Sequence, residues 1–134
     1  MAKRPTDVWR ESIAEEAAAV AAGTLDPECA YSAGFFPESL LTTTDDVLAA
    51  FEADVAALDG SPSDDDVLGA VERVVLELNR VNEAHDEAAY ETDERELLCA
   101  YIDASLVAAG IDVAALAERQ GLGRHEITDR WREW

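Results

Sequence analysis

Apolar residues recur along this chain at intervals of three and four, the spacing that lines one face of an α-helix. A first stripe, Val8/Trp9, Ile13, Ala17 and Val20, follows Thr6 as a candidate N-cap and stops at Gly23. Asp26-Pro27 reads as an N-cap followed by proline at the first helical position. It predicts a short helix over Pro27 to Ala33, with Gly34 just past its end. The stripe Val47/Leu48, Phe51, Val55 and Leu58 predicts a third helix capped by Thr44. After the Gly60-Ser61-Pro62 break, Ser63-Asp64-Asp65-Asp66 resembles a capping box. It opens the strongest pattern in the chain, Val67/Leu68, Val71, Val74/Val75, Leu78 and Val81, whose apolar face is wide enough for a central helix.

An acidic loop, roughly Ala84 to Glu91, separates that helix from a fifth. Thr92 is its candidate cap, Leu97/Leu98, Tyr101/Ile102 and Ser105/Leu106 its stripe, and Gly110 its stop. Asp112 caps a shorter helix carrying Val113, Leu116 and Ala117 and closed by Gly121. Thr128 to Trp134 reads as a further helical turn or two. No stretch alternates with period two, and no repeat of fixed period occurs. The pattern therefore predicts an all-α protein: a compact bundle of about five to six helices forming a single domain over residues 1–134.

Charge changes the picture more than composition does. The 134 residues hold 30 Asp and Glu against 10 Lys and Arg, a net charge of −20. Such a chain repels phosphate, so sequence-independent nucleic-acid binding and attachment to an anionic membrane are both disfavoured. The field favours a basic partner, or serves solubility alone. The longest weakly polar stretch, Ala17 to Ala22, falls far short of the roughly 20 residues of a membrane span. Glu11, Glu15 and Glu16 interrupt what would be the apolar part of a signal peptide. Two cysteines, Cys29 and Cys99, are too few for a disulfide scaffold and are expected as buried free thiols in a cytoplasmic protein.

Motifs of catalysis are sparse. There is no Gly-rich phosphate loop, HExxH, GxSxG or CxxC. An EF-hand loop starting at Asp59 fails because its sixth position is Asp64 rather than glycine. No catalytic residue, metal or cofactor is assigned. An enzyme built from carboxylates and His85 without a recognisable motif is the weakest reading carried forward. Asn79 and Asn82 border the apolar stripe of the central helix, where asparagine serves to bond loop backbone. Tyr31, Phe35 and Phe36 form an aromatic group, read either as a lid over the bundle or as an anchor for a partner.

Two surfaces stand out as binding candidates. The first is the acidic loop after the central helix, with Glu83, Asp86, Glu87, Glu91, Asp93 and Glu94 as its carboxylates and Tyr90 as its anchor. The second is Leu116 to Ile127, spaced like a helix-turn-helix. Residues 119–134 carry Arg119, Arg124, Arg130 and Arg132 against three acids, a net +1. A DNA-binding regulator using residues 112–134 is therefore the alternative. Its second segment is not basic, however, and the preceding residues would repel DNA. Trp131 is expected to dock the C-terminal segment onto the bundle.

Three segments carry a resemblance: Leu78-Asn79-Arg80-Val81-Asn82-Glu83, Glu91-Thr92-Asp93-Glu94-Arg95-Glu96-Leu97, and Ile127-Thr128-Asp129-Arg130-Trp131-Arg132-Glu133-Trp134. Together, mainly over residues 75–134, they resemble a group of small acidic bacterial proteins similar in style to toxin-immunity proteins. The resemblance implies a cytoplasmic, non-enzymatic binder of another protein.

Overall fold

A computed structural model describes residues 3–134, and every regular element among them is helical. The first helix, α1 (Pro5–Ala21), starts from a proline at its first position. Thr6 is therefore inside the helix rather than its cap. It is buried, and its hydroxyl donates to Asp45. Gly23 ends α1 in the left-handed conformation, with Thr24 N–H returning to the Ala19 carbonyl.

The predicted helix over Pro27–Ala33 is two pieces. Asp26 caps a single 3₁₀ turn, Pro27–Cys29, by accepting from Glu28 N–H at 2.9 Å. Ala30 then leaves helical geometry, and a one-turn helix, α2 (Ser32–Phe35), follows with Gly34 inside it. The Glu16 carboxylate accepts from Ser32 N–H at 2.8 Å and ties α2 to α1. Both cysteines are free, but Cys29 is exposed on this connection rather than buried.

Helix α3 (Glu38–Ala56) begins well before Thr44, after Pro37 as its N-cap residue. Thr44 is fully buried, and its hydroxyl shares a 2.6 Å hydrogen bond with that of Tyr90. Leu40 and Leu41 extend the apolar stripe of α3 backwards. Their burial outweighs the weak helix propensity of the intervening threonines.

Helix α4 (Asp64–Ala84) carries the expected capping box, with Ser63 Oγ accepting from Asp66 N–H at 3.1 Å. Val67, Val71, Val74, Val75, Leu78 and Val81 are all buried, which makes α4 the centre of the bundle. It packs antiparallel to α3, as contacts between Asp54 and Arg73 at one end and Ser39 and His85 at the other show. Helix α5 (Thr92–Ala108) has Glu91, not Thr92, at its N-cap position. Helix α6 (Val113–Arg119) starts as predicted, with Asp112 accepting from Ala115 N–H at 3.0 Å.

Beyond α6 lie a 3₁₀ segment, Arg124–Thr128, and an irregular tail rather than the helix expected over Thr128–Trp134. The tail is held sideways. Asn79 Nδ2 donates to the Trp131 carbonyl at 2.7 Å, and its Oδ1 accepts from Glu133 N–H at 3.0 Å. Backbone groups bonded to a side chain of α4 are not free to close a helical turn. Trp131 packs half-buried against the core, as expected. Trp134 meets Tyr90 edge-on at 5.6 Å.

Candidate protein-binding surface

The turn from α4 to α5 is shaped by the two residues on which the central helix ends. Asn82 is buried, and its side-chain carbonyl accepts from Ala89 N–H at 3.0 Å and Tyr90 N–H at 3.4 Å. Its backbone carbonyl accepts from Glu87 N–H at 2.9 Å. His85 caps the helix end: Nδ1–H donates to the Val81 carbonyl at 2.9 Å, leaving Nε2 to accept from the Ser39 hydroxyl at 3.3 Å. With both ends of the turn fixed, Asp86 and Glu87 take left-handed backbone angles, φ 61° and 59°. Aspartate tolerates this region better than glutamate does.

Among the seven residues predicted to bind a partner, Glu83, Asp86, Glu87, Glu91 and Asp93 are exposed on this turn and the start of α5. Glu94 is half-buried, and burial raises its carboxyl above the ordinary range, helped by the charges of Glu91 and Asp93. Tyr90 is not exposed as an anchor would have to be. It is 5 % exposed, packed between Trp9 and Trp134 and bonded to Thr44. Burial pushes its phenol up to about 12. An apolar ring beside a buried hydroxyl partner is drawn inward, and only the three-dimensional position of Thr44, 46 residues away in sequence, reveals that partner.

Most of the cations lie elsewhere, although Arg95 follows Glu94 at the start of α5. Eight of the ten lysines and arginines form ion pairs with acids outside this turn. Among the described residues, none of Glu83, Asp86, Glu87, Glu91, Asp93 or Glu94 takes part in one. The most buried of the pairs was not legible in the sequence. Arg4 is bidentate to Glu52 at 2.8 and 2.9 Å, and the Tyr101 hydroxyl donates to the same carboxylate. This network joins α1, α3 and α5. Arg4 holds the Glu52 carboxyl below the usual range, and burial pushes the Tyr101 phenol up to about 12.

The C-terminal region differs from a DNA-reading helix pair. A five-residue 3₁₀ segment stands where the second helix would be. Arg119 is bidentate to Asp64 at 2.8 and 2.9 Å, and Arg124 is bidentate to Asp103 at 2.7 and 2.8 Å. Beside it, a cleft of about 560 Å³ is lined by Glu96, Cys99, Asp103, Arg124, His125 and Thr128, among others. Cys99 Sγ lies 3.6 Å from Thr128 Oγ1, and burial pushes its thiol up, away from the reactive thiolate. Among the described residues no three His, Cys, Asp or Glu side chains are grouped to hold a metal ion. No single helix among them is long and apolar enough to cross a membrane.

These features define an all-α helical bundle whose most distinctive surface is an unneutralised acidic turn. No protein-family model, no curated protein and no solved structure matches the chain.

Proposed function

We propose that this protein is a small cytoplasmic protein-binding module, immunity- or inhibitor-like and without catalysis of its own, that captures a basic partner on the α4–α5 turn. One observation supports this reading above the others. The carboxylates of Glu83, Asp86, Glu87, Glu91 and Asp93 are exposed and carry no internal counter-ion, although most cations of the chain are paired. Unpaired charge of one sign speeds encounter with a partner of the opposite sign and excludes like-charged competitors. A turn fixed at both ends presents those charges with little ordering cost on binding.

The test is affinity capture from the native host at low and high salt, with Glu83→Gln/Asp86→Asn/Glu87→Gln/Glu91→Gln/Asp93→Asn as the comparison. A basic protein that is retained at low salt, released at high salt and lost on the neutralised variant supports the reading. Equal retention by both forms defeats it. A gel-shift screen with random duplex DNA in moderate salt is expected to show no retention. Sequence-selective retention would move the assignment to a DNA-binding regulator.

A further inference from the structure

With Tyr90 buried, the acidic turn has no exposed aromatic of its own. The nearest exposed rings belong to another segment. Tyr31 and Phe35 are each 60 % exposed, the two most exposed large apolar side chains described. Their centroids are 6.5 Å apart and their planes inclined at 59°. Gly34 lies between them, and a Cβ added there would meet nothing within 4 Å. The third aromatic of the group behaves differently. Phe36 turns inward and stacks on Trp9 at 5.0 Å, which fixes the loop that carries the other two.

This loop and the acidic turn occupy the same end of the bundle. Trp9 touches Phe36 on one side and lies 6.2 Å from Tyr90 on the other. Ser39, at the start of α3, bonds His85, at the end of α4. The charge around the loop matches that of the turn. From Glu11 to Glu72 the sequence contains no lysine, arginine or histidine. Asp26 and Glu28, both exposed, precede the rings in sequence; Glu38, also exposed, follows them and accepts from the Thr42 hydroxyl, its one ion pair being with Arg10 at 3.8 Å.

We infer that Tyr31 and Phe35 are the apolar anchor of one composite surface, completed by the carboxylates of the α4–α5 turn, and that its occupant is a basic protein segment presenting arginine together with aliphatic side chains. The inference rests on the electrostatic reading above and adds the contact that carries specificity. Arginine stacks on aromatic faces while its charge is met by nearby carboxylates, and exposed tyrosine is a preferred hot-spot residue. A partner that is merely cationic would use the carboxylates and leave the rings uncovered.

Isothermal titration with two amidated peptides of equal length and charge tests this. One alternates arginine with leucine, the other lysine with glycine. The wild-type chain is expected to bind the arginine–leucine peptide more tightly. Tyr31→Ala/Phe35→Ala should lose about tenfold in affinity for that peptide and nothing for the other. The five-carboxylate variant should weaken both. If the aromatic variant binds arginine–leucine like wild type while the neutralised variant fails, the inference falls and the electrostatic reading stands. If the neutralised variant binds both peptides like wild type, the electrostatic reading falls and the composite surface with it. Sedimentation velocity covers a different occupant: a wild-type dimer that the aromatic variant dissolves would show a second copy on the patch and overturn the inference. Tyr31→Ala and Phe35→Ala singly, each checked for an unchanged melting curve, separate lost binding from lost folding.

Discussion

Two consecutive acidic residues, Asp86 and Glu87, hold a backbone conformation that favours glycine. At Glu87 the price is about 1 kcal/mol relative to glycine. Glu87→Gly is therefore expected to raise Tm by roughly 3–5 °C while removing one carboxylate from the α4–α5 turn. A thermal melt checks the first half, and a fall in Tm would contradict the left-handed geometry. Stability and surface charge thus point in opposite directions at this residue. Tyr90 shows the limit of reading single residues. Its neighbours in sequence, Asp86, Glu87, Glu91 and Asp93, are exposed acids, and nothing local signals that Thr44, Trp9 and Trp134 enclose the ring.

At the scale of elements, some local signals hold and others, such as the caps at Thr6 and Thr92, do not. The Ser63 capping box, the Asp112 cap and the left-handed glycines at 23, 110 and 121 act within a few residues, and each marks a boundary that the structure keeps. The start of α3 was hidden because Thr44, a good cap by type, is required inside the helix by Tyr90. The C-terminal tail reads as helix in the sequence but is irregular in the structure, because its hydrogen-bonding partner is Asn79, more than 50 residues earlier. The asparagine itself was legible as a bonder of loop backbone; which loop it bonds was not. Asn79→Ala leaves a carbonyl and an N–H of the tail without partners and is expected to cost about 2 kcal/mol. Tm should fall on the order of 5–10 °C, with a change in the near-ultraviolet circular dichroism of the tail tryptophans. An unchanged melt would show that the tail is not held by this side chain. Of the candidate surface, the carboxylates are legible in the sequence, whereas which aromatic is exposed is not, because burial of Tyr90 and exposure of Tyr31 and Phe35 are properties of packing.

For the whole molecule, the helices are joined by side-chain links with different responses to pH. The phenols of Tyr90 and Tyr101 are both raised to about 12, from about 10 when unfolded. The folded state therefore holds these protons more tightly than the unfolded chain does. Their contribution is intact below a pH of about 10 and is lost as pH rises towards about 12. Denaturant midpoints measured across that interval should decline, and Tyr90→Phe/Tyr101→Phe should flatten the decline. A wild-type midpoint constant over the same interval would contradict the burial of both hydroxyls. The carboxyl of Glu52 has the opposite sense: Arg4 lowers it, so its contribution persists above the ordinary carboxylate range and fades as acid titrates through the lowered value.

The ring contacts running from Phe36 through Trp9 and Tyr90 to Trp134 have an optical consequence. Light absorbed by Tyr90 passes to an indole on either side, at centroid distances of 6.2 and 5.6 Å, so its own emission is quenched while the chain is folded. Trp9 in turn lies directly beneath the loop that carries Tyr31 and Phe35, in contact through Phe36. A molecule settling on that loop is expected to reach Trp9 through Phe36, and a titration followed by tryptophan emission would read such occupancy with no added dye.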